Sequence, residues 1–231
     1  MCGRFTLTSP AKKLVEFFDL GQPDVDLVPR YNIAPTQNSV CVREIGGTRE
    51  LISMRWGLLP AWSKHESEGA RLINARSETV DTMAAFRDAF RSRRCIVPAN
   101  GFFEWKKSGS HKQPYLIRRW SNEPLAFAGL WESWSPRESD EVIESFTILT
   151  TSPNQLVADI HDRMPVILGE DQHAAWLNSD TETTSVQEFL KPCPAEEMEA
   201  VPVHRSVGNV KNDSETCIRP IKPVVQKELF G

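Results

Sequence analysis

Between residues 94 and 151 the chain falls into five strand-like segments in succession: Cys95 to Pro98, Gly101 to Lys106, Pro114 to Trp120, Leu125 to Trp134 and Phe146 to Thr151. Gly, Ser, Asn and Pro residues separate them, the punctuation that consecutive hairpins need. A chain with such a middle is committed to a mainly antiparallel sheet or an open barrel. An earlier pair, residues 39 to 45 and 49 to 56, extends the pattern about Gly46-Gly47, because two glycines supply the positive φ angles of a tight hairpin turn.

Helices are few and short. The first is predicted from Ser9 as N-cap and Pro10 at the first helical position, with Leu14, Val15, Phe17 and Phe18 on one face. A second is predicted over Glu78 to Phe90, with Val80, Met83, Phe86 and Phe90 inward, running into Arg91, Arg93 and Arg94, which read as a solvated face. Short helices follow around Asn154 to Ile160, Asp171 to Leu177 and Ser185 to Leu190. With 231 residues, 40% of them hydrophobic, the chain is long enough for one sizeable core. We therefore expect a single α+β domain over residues 1–212, a mainly antiparallel sheet or open barrel flanked by short helices. Residues 213–231, polar and punctuated by proline, are expected to form a tail.

A net charge of −4 argues against a protein that coats nucleic acid through bulk positive charge, so any such contact must be local. The five cysteines, at 2, 41, 95, 193 and 217, are scattered without a C-x-x-C pair or metal-type spacing. That usage fits a reducing compartment, with no metal or other cofactor expected. The N-terminus has no secretory pattern and no run approaches the ~18 apolar residues of a membrane span. A soluble protein is expected, with no membrane partner: cytoplasmic and nucleoid-associated in a bacterium, nuclear in a eukaryote.

Four segments carry polar residues that packing alone does not explain: Met1-Cys2-Gly3-Arg4-Phe5, Leu72-Ile73-Asn74-Ala75-Arg76, Gly101-Phe102-Phe103-Glu104-Trp105 and Ile160-His161-Asp162-Arg163-Met164-Pro165. With Tyr31-Asn32-Ile33-Ala34-Pro35, Trp56-Gly57-Leu58-Leu59-Pro60 and Val207-Gly208-Asn209-Val210-Lys211, they resemble the SOS-response-associated peptidase (SRAP) family over roughly residues 2 to 212. The resemblance implies the SRAP fold and a DNA-repair role: covalent shielding of abasic sites in single-stranded DNA by the N-terminal cysteine. It also implies lyase-type Schiff-base chemistry and a self-processing thiol peptidase step, although generic methionine removal would also free the cysteine.

Cys2 has the chemistry for that role. Once Met1 is removed, it offers an α-amine with a reference pKa of about 7.7–8.0 and a thiol near about 8.5. Gly3 leaves the neighbouring backbone open to a nucleic-acid strand. The amine attacks the C1′ aldehyde of the open sugar to give an imine, and the thiol adds to the imine carbon to close a thiazolidine. With Met1 attached the nitrogen is an amide, and no imine forms. The competing view makes Cys2 a small buried hydrophobe.

Glu104 is a candidate general acid/base if its strand face lines a cleft screened from water, and a solvated strand position if not. His161 suits proton exchange at the sugar, or a structural hydrogen bond. Asn74 suits orientation of the amine or of a sugar hydroxyl, or the capping of a turn. Arg76, Arg4 and Arg163 are candidates for a phosphate track, with ordinary ion pairing as the alternative. Trp105, Trp62 and Pro35 are candidates for stacking or wedging, although most of the seven tryptophans should be core. Asn32 and Asn209 lie in matched segments and are assigned to the same groove, with Lys211 beside them.

One motif lies outside the resemblance. Gln226-Lys227-Glu228-Leu229-Phe230 resembles the pentapeptide by which bacterial repair factors bind the replication sliding clamp, with Leu229 and Phe230 entering an apolar pocket and Gln226 fixing orientation. Its alternative is a tail that docks on its own domain. Two other functions compete with covalent capture: a thiol peptidase acting in trans, and a non-covalent single-strand binder, for which a net-acidic chain is a poor candidate.

Overall fold

The structure, a computed structural model, describes residues 2–21, 27–109, 111–136 and 141–221. Gln226, Leu229 and Phe230 lie outside the described residues. The strands are β1 (Phe5–Leu7), β2 (Arg30–Ile33), β3 (Asn38–Ile45), β4 (Thr48–Trp56), β5 (Asn74–Arg76), β6 (Arg94–Ala99), β7 (Gly101–Ser108), β8 (His111–Arg119), β9 (Leu125–Trp134), β10 (Ile143–Thr151), β11 (Met164–Pro165) and β12 (Met198–Pro202).

The expected hairpin of β3 and β4 pairs from Asn38↔Arg55 to Ile45↔Thr48, with Gly46 and Gly47 at φ 59° and 78°. β6 joins β3 at Val42↔Ile96, β9 pairs with β6, and β10 pairs with β9 from Ile143↔Trp134 to Ile148↔Gly129. β10 then meets β4 in parallel at Ser145↔Arg55 and Phe146↔Trp56. That last pairing closes the ring β4-β3-β6-β9-β10, so the barrel is closed rather than open. Parallel strands need a long crossover, which hairpin signals cannot announce. β5 and β11 are added along β10, the first parallel and the second antiparallel.

A second sheet, ordered β12-β8-β7-β1-β2, packs on the ring through aromatic side chains. Phe5 of β1 meets Trp56 of β4 edge-on at 5.1 Å and Phe127 of β9 at 6.1 Å, while Phe102 of β7 meets Phe127 at 6.0 Å. All four rings are fully buried. Each removes roughly 150–250 Å² from water, so this cluster fixes where β1 and β7 lie relative to the barrel. Alternation turns Phe103 to the other face, into a small core with Leu116, Val203, Val207 and Cys217.

Helix α1 (Ala11–Phe18) buries Leu14 and Phe18, but Pro10 rather than Ser9 occupies its N-cap. Asn100 has taken Ser9 instead: its Oδ1 accepts the Ser9 N–H at 2.9 Å and its amide donates to Ser9 Oγ at 2.8 Å. The helix expected over residues 78–90 is confined to α2 (Arg87–Ser92). Upstream the chain runs in turns, where the Thr82 hydroxyl donates to the Thr79 carbonyl at 3.1 Å and competes with helical bonding. Val80, Phe86 and Phe90 are buried as expected, whereas Met83 is half exposed.

The basic cluster is also corrected. Arg94 is buried and donates to the carbonyls of Phe90, Arg91, Trp176 and Asn178, and Arg93 pairs with Glu132 at 2.6 Å. Of the three arginines, Arg91 is the one left exposed.

Two loops matter for the site. Gly57 has φ 123°, and a Cβ there would lie 2.5 Å from the Gly69 carbonyl oxygen, so two backbone segments touch at that point. Residues 213–221, expected as the start of the tail, pack on the domain. The Asp213 carboxylate accepts the N–H groups of Tyr31 and Asn32 at 2.6 and 3.0 Å and pairs with Arg30, while Cys217 is buried. No helix among the described residues is long and apolar enough to cross a membrane.

Candidate active site

The register of β1 on β7 sets the first relation. Phe5 pairs with Phe102 and the Phe103 N–H donates to the Arg4 carbonyl at 2.9 Å, so the chain ahead of Phe5 runs alongside Glu104. Cys2 is fully buried there. Burial pushes its thiol well above the usual range, and the charge of Glu104 pushes it further. Glu104 is itself 3% exposed, and burial raises its carboxyl to about 8, with Asp162 adding to the rise. A carboxyl in that range both gives and takes a proton near neutral pH.

His161 reaches Glu104 from the barrel side. Asn154 starts α3 (Gln155–Ala158), its Oδ1 accepting the Val157 N–H at 3.0 Å, and the His161 N–H closes the last turn on the Val157 carbonyl. The imidazole Nε2 then stands 3.7 Å from Glu104 Oε2. Its Nδ1 accepts the Arg163 backbone N–H at 3.0 Å, which puts the hydrogen of the neutral ring on Nε2, facing Glu104. Asp162 Oδ1 also lies 2.9 Å from Nδ1 and would hold the ring when it is charged. Burial lowers the His161 pKa below its ordinary value, so the neutral form prevails near pH 7.

Asn74 opens β5, and its amide donates to the Ile73 carbonyl at 2.8 Å. Its Oδ1 is buried with no hydrogen-bond partner among the described residues. The same Ile73 carbonyl accepts Trp56 Nε1 at 2.9 Å, and Trp56 packs on Phe5, three residues from Cys2. Asn74 is therefore tied to the strand that carries Cys2, through shared packing.

A cleft of about 380 Å³ opens at Glu104 and His161, and Trp105, Lys107, Lys112 and Gly208 complete its lining. The two lysines escaped the sequence reading. Nothing local distinguishes them from other exposed strand lysines, and the signal that would have found them is their pairing, Lys107↔Lys112, in the hairpin that carries Glu104.

The expected DNA contacts divide into two groups. Arg4 is buried, donating to Asn32 Oδ1 and the Val207 carbonyl, each at 2.7 Å, with its guanidinium 6.0 Å from the Trp105 ring centre. Asn32, also buried, donates to the carbonyls of Val207, Asn209 and Asn212. These two bind the segment around Val207 to β1 and β2, and Arg4 Nε keeps no hydrogen-bond partner among the described residues. Arg163 pairs with Glu78 and donates to the Thr150 carbonyl. Arg76 is exposed beside Thr150, Trp62 is 61% exposed, Pro35 and Trp105 are half-buried, and Asn209 and Lys211 are exposed.

Known proteins match both chain and fold. The family model described as SOS response associated peptidase (SRAP) matches residues 1–210. The chain is 44% identical over 218 residues to the abasic site processing protein YoaM of Bacillus subtilis, covering 93% of this chain and 96% of that one. It is 33% identical over 228 residues to the abasic site processing protein YedK of Escherichia coli, covering 96% and 100%. A crystal structure of a protein from Bacteroides thetaiotaomicron superposes with a TM-score of 0.87 at 26% identity, covering 96% of this chain and all of that one.

Proposed function

Because the chain belongs to the SOS response associated peptidase family, we propose that it processes abasic sites in single-stranded DNA, capturing the ring-opened sugar covalently through Cys2. The observation that carries this reading is the buried Glu104 carboxyl, its pKa raised to about 8, within reach of His161 and electrostatically coupled to Cys2.

The raised thiol stays protonated at neutral pH, so the amine freed by loss of Met1 attacks first. Nitrogen adds to the C1′ aldehyde, protonated Glu104 gives its proton to the departing oxygen, and water leaves an imine. The nitrogen keeps its hydrogen, so this imine is the iminium form; sulfur then adds to its carbon, the thiol proton passing to the Glu104 carboxylate and the C=N electron pair returning to nitrogen. The balance is aldehyde plus aminothiol giving thiazolidine plus water, with Glu104 returned to its starting form. His161, with its hydrogen on Nε2, steadies the transient Glu104 carboxylate. Asn74 Oδ1 supplies the acceptor that aims the amine. Without the thiol the imine persists, and β-elimination of the strand follows as lyase activity. Release of Met1 is a self-processing use of the same thiol and carboxyl.

A single-stranded oligonucleotide with one abasic site, resolved on a denaturing gel, tests the reading. Wild type gives a heat-resistant adduct. Cys2→Ser and Cys2→Ala give at most a borohydride-trapped imine, and Glu104→Gln slows capture by about 10²-fold. A heat-resistant adduct that persists with Cys2→Ala refutes it. The substrate implies a nucleoid location in a bacterium or a nuclear one in a eukaryote, and Gln226, Leu229 and Phe230 are proposed to recruit the protein to a replication sliding clamp.

A further inference from the structure

We infer that Lys107 and Lys112, facing each other across the β7–β8 hairpin, form a two-lysine clamp for the phosphates of the strand flanking the captured nucleotide. The inference rests on the reading of the site as one for single-stranded DNA.

The position of the cleft is the first ground. Strand alternation sends Trp105 and Lys107 to the face opposite Glu104, yet all three line one cleft. The cleft must therefore wrap the margin of β7 on the side away from β8. On that margin the last backbone bond to the N-terminal chain among the described residues runs from the Phe103 N–H to the Arg4 carbonyl, so the margin is free of backbone pairing from Trp105 towards Lys107. A strand bound at Glu104 and His161 can cross the margin and continue towards the lysines. Three residues of β-strand separate Glu104 from Lys107, about 10 Å. A phosphate at the lysines therefore belongs to a flanking nucleotide rather than to the sugar under attack.

The pairing is the second ground. Like charges directly opposite on a hairpin repel and destabilise it. Both lysines are exposed, and neither makes an ion pair among the described residues. An anion between them removes the repulsion. Gly208 forms the opposite wall and meets nothing within 4 Å of where a Cβ would stand, leaving room for a backbone to approach. In a chain of net charge −4, a local pair of unneutralised cations beside the reactive groups is the kind of feature that attracts a polyanion.

The test measures non-covalent binding of an intact single-stranded oligonucleotide over a salt series. Each lysine that displaces counterions contributes about 0.7 to the slope of log K against log[salt]. Lys107→Gln and Lys112→Gln should each lower the slope by about 0.7, and the double variant by about 1.4. Lys106→Gln, exposed in the same strand but outside the cleft lining, should leave it at the wild-type value. A wild-type slope in the double variant, or an equal fall with Lys106→Gln, overturns the clamp. Thermal unfolding of the double variant, expected at or slightly above wild type because repulsion is relieved, shows that any loss is not misfolding. Wild-type adduct formation on an abasic oligonucleotide is measured in parallel. Its failure would sink the covalent reading whatever the slopes, whereas adduct with unchanged slopes sinks the clamp alone.

Discussion

Glu104 is written in the sequence as a glutamate between two aromatics, and nothing there tells whether it faces water. The fold decides this by closing the aromatic cluster behind β7, leaving the carboxyl 3% exposed. Because folding raises it from an ordinary 4.5 to about 8, the folded state holds the proton more tightly than the unfolded chain. The associated stability is therefore complete below pH 4.5 and is lost as pH rises through about 8. Glu104→Gln, which mimics the protonated form, should melt above wild type at pH 8 to 9 and converge with it towards pH 4.5, as thermal scans across pH would show. The capture rate should be bell-shaped. Protonation of the amine, with a reference pKa of about 7.7–8.0, limits the acid side. Loss of the Glu104 proton limits the alkaline side, and Glu104→Gln should abolish that alkaline limb as well as slow the reaction.

At the scale of elements, what was legible followed from local pattern. The β3–β4 hairpin was readable because alternation and Gly46-Gly47 both act within a few residues. The strands from β6 to β10 were readable for the same reason. The helix over 78–90 was misread because apolar spacing at Val80, Phe86 and Phe90 is satisfied equally by successive turns, and threonine hydroxyls favour the turns. Arg94 read as solvated because two of its carbonyl partners, Trp176 and Asn178, come from a segment some 80 residues away. Cys2, Asn74, Glu104 and His161 stood out as candidates through their motifs, while the placing of Cys2 and His161 beside Glu104 required the β1–β7 register and the turn after α3. Lys107 and Lys112 became visible only once both faces of β7 were seen to meet in one cleft. The contact of Gly57 with Gly69 belongs to this scale too. Gly57→Ala places a Cβ against backbone at a positive φ and should cost about 3 kcal/mol, read as a lower urea midpoint with an unchanged m-value.

Across the whole molecule, a closed barrel supports a second sheet whose first strand, β1, follows directly on Cys2. The segment around Val207, fixed through Arg4 and Asn32, supplies the far wall of the cleft. The domain thus joins its N-terminal segment to residues 207–221, with Asp213 holding the latter to β2. Recruitment is expected to be separable from this body. Deleting residues 226–231 should abolish affinity for a purified bacterial clamp while DNA capture continues, and unchanged clamp affinity would dismiss the motif.

The proposed thiazolidine consumes both the amine and the thiol of Cys2 in one ring. Mass analysis of the proteolysed adduct tests it most directly. The sugar remnant is expected on the peptide beginning at Cys2, with the summed mass of peptide and sugar less one water and with neither a free primary amine nor an alkylatable thiol. A remnant on a lysine side chain, or a Cys2 thiol that still alkylates in the heat-resistant adduct, would contradict it.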